Sequence, residues 1–480
     1  MSRPNILWIC TDQQRFDTLG CYGNMRVKTP HLDRLAERGI LFENAFCQST
    51  VCTPSRASFL TGRYPRTTRC RQNGQNIPED EVLATRLLAD AGYACGLAGK
   101  LHISACDPRV APSGERRIND GYKQFHWSHH PEGSWPTNEY IQWLSSRGKE
   151  YKPLPIADSR FVQTGPEGRD HQTTWCAGKA IQFIEANQHF EEPWLFSVNM
   201  FDPHHPFDPP TDYLQRYLDL LEDIPLPNYE EGELENKSFF QRFDHKGAYG
   251  NPNFYPFAEM SDADHRVVRA AYWAMVDLVD EQVGRMVEAL ERTYQLDNTM
   301  IIFMSDHGEM LGDHGIYLKG SYFYEPSVHV PLIISYPGAF GGNRRVTDLV
   351  ELVDLAPTLL EAAGLPIYPG MQGKPLTSLL NGVKGSAAHR SDVYCEHYNA
   401  SSKQDGIGGF ATMVRTVGYK LVVYHRSGDG ELYDLESDPR ETNNLWNHPQ
   451  HASVQMEMMV RLCDRMAETA DPLPERLAPW

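Results

Sequence analysis

Cys52-Thr-Pro-Ser-Arg56 puts a thiol, a helix-starting proline and a guanidinium within five residues, a spacing suited to a nucleophile and a cation that orients it. Pro54 and Ser55 sit where a helix would begin, so Cys52 is expected at or just before an N-terminus, where backbone N–H groups favour anions and thiolates. Arg56, one turn in, can hold and orient that nucleophile. A cysteine taken alone is more often a small buried hydrophobe, so the reading depends on its company.

That company is Asp12-Gln13, Lys100-Leu-His102, Asp202-Pro-His204-His205 and Asp306-His307-Gly308-Glu309. Asp12, Asp306 and the amide oxygen of Gln13 are hard donors suited to Ca²⁺ or Mg²⁺, and His307 is a borderline ligand that does not exclude them. Singly, an aspartate after a strand is more often a cap or turn former, and a lone lysine or histidine is usually solvated. The joint pattern carries the inference.

The elements that must position these groups alternate. Residues 5–10 form a wholly apolar run ending in Thr11-Asp12, as a strand buried on both faces would. Residues 29–36 combine a cap, Pro30 in the first turn and apolar residues at helical spacing. Residues 82–91 predict a helix, and 93–99 and 194–200 predict further buried strands. Residues 262–294 predict one long helix, with Met275, Leu278, Val279, Val283, Met286, Val287 and Leu290 on one face, before the strand 300–305. This order predicts an α/β fold, a large and mostly parallel central sheet flanked by helices. Such sheets bind ligands beyond the carboxyl ends of their strands, where all four polar groups fall. From about residue 385, runs 412–417 and 419–424 alternate around Gly418, and a helix carrying Met456, Met459, Val460 and Cys463 follows. The expected division is a catalytic domain over 1–384 and a smaller α+β domain, containing an antiparallel sheet, over 385–480.

A net charge of −18 over 480 residues, with no block of Lys or Arg, argues against nucleic acid as a partner. It also means that any anion site must be a local gathering of positive groups in an acidic protein. The ten cysteines have no regular spacing and no C-x-x-C pair, and read as reduced thiols. The apolar start at 6–9 is too short for a signal sequence and no membrane-length apolar run appears, so no membrane association and a cytoplasmic location are expected.

Cys52-Thr-Pro-Ser-Arg56 followed by Leu60-Thr-Gly62-Arg63 resembles the C-x-P-S-R…L-T-G-R signature of the sulfatase family in the alkaline-phosphatase superfamily. The likeness extends through residues 29–33, 99–102, 203–206, 306–309 and 432–435, most of the chain. It implies the alkaline-phosphatase-like fold, and a formylglycine-generating enzyme that converts Cys52 to formylglycine. It implies that Asp12, Gln13, Asp306 and His307 hold one divalent cation, commonly Ca²⁺, with residue 52 completing the shell. Many sulfatases have two consecutive carboxylates where this chain has Asp12-Gln13. Phosphonate monoester hydrolases of the superfamily resemble this Asp-Gln arrangement and can use manganese, so Mn²⁺ or Mg²⁺ stays open.

The resemblance also implies a mechanism in which one hydroxyl of hydrated formylglycine, with Asp306 as base, attacks sulfur to give a sulfate hemiester. Lys100, Lys319 and His204 would neutralise sulfate oxygens, and His204 with Lys319 would protonate the departing alcohol. His102 would deprotonate the second hydroxyl, expelling sulfate and restoring the aldehyde. Lys319, in Leu318-Lys319-Gly320-Ser321, is the shortest of these matches, and its alternative is a loop lysine in water. His205 is expected as a pocket or structural residue.

The substrate is expected to be a small-molecule or saccharide sulfate ester, carbohydrate or aryl. The competing activity is that of a phosphonate monoester or phosphodiester hydrolase, and a third reading is a non-catalytic protein that binds sulfated glycans. The stretches 107–170 and 206–256 are rich in rings, among them Trp127, His129, His130, Trp135, Phe239, Phe240 and Tyr255. These can stack on a sugar or aryl group, pack a lid, or make contacts of a homo-oligomer.

Overall fold

Residues 6–10 are apolar and, with Asn5 and Thr11, wholly buried because they form the middle strand of the principal sheet, Asn5–Thr11. In the computed structural model, residues 3–131, 135–157, 159–383, 388–399, 409–476 and 478 are described. The sheet runs Arg344–Glu351, Ile40–Phe46, Leu332–Ser335, Thr299–Ser305, Asn5–Thr11, Trp194–Asn199, Ala94–Gly99, Gln124–Trp127, and the short His329–Val330 pairs with Ile40–Phe46. Its strands are parallel except Leu332–Ser335 and His329–Val330, so the large mostly parallel sheet is as expected.

Alternate residues of the middle strand enter two separate cores, as the two-residue period of a strand requires. Leu7 and Ile9 join Phe196, Val198, Ile301 and Phe303 beneath the 31-residue helix Asp262–Arg292. Ile6, Trp8 and Cys10 face the other way, against Ala57, Phe59 and Leu60 of helix Cys52–Thr61. The long helix is fixed at its start by a capping box between Ser261 and Asp264.

The strands bearing Asp306, Asp12, Asp202 to His205, and Lys100 are neighbours, in that order across the sheet. Their following loops are laced together: Asp306 N bonds Thr11 O at 3.2 Å, Asp12 N bonds Asp202 O at 3.2 Å, and Lys100 N bonds Asn199 O at 3.0 Å. Gly99 allows the last contact, because at φ +105° a Cβ there would lie 1.9 Å from Asn199 O.

Strands Val393–Tyr398, Phe410–Arg415, Tyr419–Tyr424 and Gly430–Asp434 form a four-stranded antiparallel sheet. One face shares the core of the principal sheet through Val393, Cys395, Met413 and Val422. The other packs Val414, Leu421 and Leu432 against Met458 and Leu462 of helix Ala452–Glu468. The expected domain boundary between 384 and 385 lies outside the described residues. All ten cysteines are free, and among the described residues no helix is long and apolar enough to cross a membrane.

Candidate active site

Cys52 is the first residue of helix Cys52–Thr61, buried along its whole length. Its Sγ lies 3.2 Å from His307 Nε2, 3.6 Å from Asp12 Oδ1, 3.2 Å from Lys319 Nζ and 3.6 Å from Lys100 Nζ. Burial and Asp12 act to raise the thiol pKa, but Lys100, Lys319 and His307 together bring it below the usual value.

One ligand atom each from Asp12, Cys52, Asp306 and His307 lies within 4.8 Å of all the others. Arg56 sets this geometry from behind. Its Nε donates to Asp306 Oδ2 at 2.8 Å, its Nη2 to Asp12 Oδ2 at 3.2 Å and its Nη1 to the Lys100 carbonyl at 2.7 Å. The sequence led us to expect Arg56 to orient the nucleophile; its hydrogen bonds go to the two carboxylates instead. Lys100 Nζ also reaches Asp12 Oδ2 at 2.5 Å, so Asp12 Oδ1 is left facing Cys52. Burial raises the Asp12 carboxyl pKa, but Lys100, Arg56 and Lys319 outweigh it and hold the group well below the carboxylate range. Burial works against a charged His307, yet Asp306 and the Cys52 thiol push it up to about 9. A proton held this firmly beside two carboxylates marks a place that favours positive charge.

Asp306, expected as a base, has both oxygens engaged. Oδ2 accepts from Arg56, and Oδ1 accepts from the backbone N–H of Gln13 at 3.0 Å and of His307 at 2.9 Å. Asp12 Oδ1 is therefore the carboxylate oxygen turned toward residue 52. Gln13 stands at φ 66°, a left-handed conformation uncommon outside glycine, and its side-chain amide donates to buried Glu309. That bond aims the amide oxygen at Lys319 Nζ, 2.5 Å away. Glu309 also accepts from Leu311 N and Leu318 N, so it fixes the loop that carries Lys319. The motif containing Glu309 was visible in the sequence, but its role in aiming Gln13 was not.

Lys100, His102, His204, His205 and Lys319 join Cys52 around a cavity of about 500 Å³. A larger groove of about 1080 Å³, bordered by Gly168, Arg169, Tyr213 and Arg285, gathers none of the converging groups. Lys319 Nζ lies 2.7 Å from His204 Nε2, and His204 Nδ1 meets the His205 carbonyl, which can only accept. His204 therefore carries its proton on Nδ1 and accepts from Lys319 at Nε2. His205 stacks on His204 at 4.1 Å. Burial first, then neighbouring Lys100 or Lys319, holds His102, His204 and His205 well below the ordinary imidazole value, and His130 down to about 4. The positive charge of the cavity thus rests on its two lysines, with neutral imidazoles around them.

Of the rings expected in the two long insertions, His129 and His130 line the cavity. Trp127, Trp135, Phe240 and Tyr255 are packed in the interior, and Phe239 is exposed. Asn73, Cys106 and Tyr249 also line the cavity and were missed, since nothing in their local sequence marks them.

A family model described as sulfatase matches residues 4–365, and one described as N-sulphoglucosamine sulphohydrolase, C-terminal, matches residues 312–468. The chain is 30% identical to an arylsulfatase of Clostridium perfringens, across 94% of this chain and 91% of that protein. It is 29% identical to an N-acetylglucosamine-6-O-sulfatase of Bacteroides thetaiotaomicron, across 98% of this chain and 88% of that protein. Among solved structures, a phosphonate monoester hydrolase of Agrobacterium radiobacter superposes with a TM-score of 0.83 at 27% identity, covering 99% of this chain and 98% of that one.

Proposed function

Because the chain belongs to the sulfatase family, we propose that it hydrolyses a carbohydrate or aryl sulfate monoester, with residue 52 matured to formylglycine and one divalent cation held by Asp12, Gln13, residue 52, Asp306 and His307. Calcium suits the oxygen-rich donor set best, followed by manganese and magnesium. Cys52 Sγ marks where the oxygens of the aldehyde hydrate would sit. The donor set fits such an ion, because Arg56 and Lys100 occupy the outer oxygen of Asp12, Arg56 occupies that of Asp306, and His307 presents Nε2 to the centre. When bound, the cation makes a hydroxyl at residue 52 more acidic and offsets charge on the sulfate.

The remaining work falls to side chains. Asp12 Oδ1 orients the attacking hydroxyl. Lys100 and Lys319, the two ammonium groups nearest Sγ, receive the sulfate oxygens. Lys319, oriented by His204 Nε2 at 2.7 Å, gives a proton to the departing alcohol. His102 is kept neutral by burial and Lys100, the state a base needs in order to take the second hydroxyl's proton as sulfate leaves.

The observation that carries this reading is the convergence of both carboxylates, His307 and two lysines on the single atom Cys52 Sγ. The test is a panel of sulfated mono- and disaccharides beside an aryl sulfate and an aryl phosphonate, with peptide mapping of residue 52. Turnover of a sulfate ester by protein carrying the aldehyde is expected. A free thiol in active protein, or good phosphonate turnover with no sulfate ester cleaved, overturns the assignment.

One observation favours phosphonate monoester hydrolysis as a second activity of the same site. Gln13 stands where a second carboxylate would add negative charge, and its amide is committed to Glu309. A sulfate monoester and a phosphonate monoester each carry one negative charge on a tetrahedral centre, so a site balanced for one is balanced for the other. The likeness to the Agrobacterium radiobacter enzyme supports this activity.

A further inference from the structure

The loop after Ala94–Gly99 and the segment after Gln124–Trp127 bring together three side chains that the hydrolytic site does not use as a group: His102, Cys106 and His129. A ring nitrogen of each histidine and the thiol sulfur all lie within 4.8 Å of one another. Both ring nitrogens of His129 and Nδ1 of His102 are buried and have no hydrogen-bond partner among the described residues. Each of these histidines is only 7% exposed. A buried nitrogen left unpaired is costly, and such nitrogens on two adjoining histidines beside a thiol call for a ligand.

The cluster is built rather than accidental. The His102 and His129 rings meet edge to face with centroids 4.6 Å apart. Behind them, buried Glu115 accepts from His102 N at 2.7 Å, Ile103 N at 3.0 Å and Trp127 Nε1 at 3.1 Å, tying the two segments to each other. Such outer support is what holds ligand side chains in register. All three residues also line the 500 Å³ cavity, which leaves an open position for water or a solute.

Two imidazoles and a thiol, with the Glu115 carboxylate hydrogen-bonded to the thiol from behind and outside the group, form a donor set unlike the oxygen-rich one around Asp12 and Asp306. It suits a borderline or soft ion, and three protein ligands with one open position are typical of zinc held exchangeably. We propose that His102, Cys106 and His129 form a second metal site, selective for zinc over calcium, whose occupation switches hydrolysis off. Binding exchanges the Cys106 S–H proton for a sulfur–metal bond and releases that proton, with no change of oxidation state. Inhibition follows because an ion on His102 takes up its lone pair or repels the proton it must accept. The inhibitory part rests on the reading of His102 as a base; the binding part does not.

The test uses calcium-loaded full-length enzyme titrated with Co²⁺ and with Zn²⁺. A sulfur-to-cobalt charge-transfer absorption is expected, retained in Cys52→Ala and abolished in Cys106→Ser. Wild type should bind one zinc beyond the calcium and lose turnover as it does so. Cys106→Ser should need at least about tenfold more zinc for the same inhibition, since losing a ligand costs no less than losing its outer support. His129→Asn, which keeps the thiol, should show the same shift. Absence of the band, its persistence in Cys106→Ser, or zinc inhibition that excess calcium relieves with no extra equivalent bound would each overturn the second site. A band without inhibition overturns the switch alone. A band in a protein that cleaves no sulfate ester leaves the site standing and removes the proposed hydrolysis.

Discussion

Arg56 Nε and Asp306 Oδ2 lie 2.8 Å apart in the buried interior, and the same guanidinium reaches Asp12 Oδ2 at 3.2 Å. One planar cation thus fixes two carboxylates from separate strands, leaving Asp12 Oδ1 toward residue 52 and Asp306 Oδ1 to the backbone N–H groups of Gln13 and His307. A lysine ammonium has no such fork and cannot span both. Arg56→Lys should therefore weaken cation retention about 10–100-fold, the cost of losing outer support at a metal site. Calcium titration of activity should show a shifted midpoint, with much of the rate recovered at saturating calcium. A lost rate that no calcium concentration restores would instead assign Arg56 a direct part in the chemistry.

Gln13 and Glu309 form a second such pair, an amide donor on a buried carboxylate. Burial raises the Glu309 carboxyl pKa, and the N–H groups of Leu311, Gln13 and Leu318 offset part of this. Gln13→Glu would set carboxylate against carboxylate and remove a donor, at a cost of about 1–3 kcal/mol. The swap Gln13→Glu with Glu309→Gln restores one donor and one acceptor and should recover most of that loss. Chemical denaturation of the two variants and wild type measures it.

Much of the hydrolytic site was legible because its residues follow apolar strand runs, and the strand period fixes where those runs end. Asp12, Lys100, His204 and Asp306 could be assigned to one end of one sheet from sequence order alone. The strand Ile40–Phe46 was missed, since Glu43 and Asn44 interrupt its apolar run and its neighbours are Leu332–Ser335 and Arg344–Glu351, remote in sequence. The helix Cys52–Thr61 shows no amphipathic pattern because all ten residues are buried. The partners of Arg56 were invisible for a related reason: a guanidinium that bridges two loops is specified by tertiary packing, and its neighbours Ser55 and Ala57 say nothing of where it points. The His102, Cys106 and His129 cluster depends in the same way on the pairing of Ala94–Gly99 with Gln124–Trp127.

His102 is expected to act after the substrate alcohol has left. Replacing it with alanine should leave the first displacement intact and stall sulfate release. Rapid mixing of His102→Ala with a chromogenic aryl sulfate should give a burst of one phenol per active site, then turnover reduced about 10²–10⁴-fold. Loss of the burst together with steady-state rate would place His102 in the first step instead.

Away from the site, Asp280 on the long helix accepts the backbone N–H of Leu32 at 2.7 Å and of His31 at 3.2 Å, at the start of helix Pro30–Arg38. Burial pushes its carboxyl up to about 7, against the pull of those two N–H groups. In the unfolded chain the group ionises near pH 4. Below pH 4 both states hold the proton and the stabilisation is complete. As pH rises from about 4 to 7 the unfolded chain ionises first, so stability falls, by at most about 4 kcal/mol, and then levels off above pH 7. Urea unfolding of wild type and Asp280→Asn at matched pH should show a decline between pH 5 and 7 in wild type that the variant lacks. A wild-type profile that rises over that interval relative to the variant would mean that the N–H groups of the helix start outweigh burial, and that the carboxylate is the stabilising form.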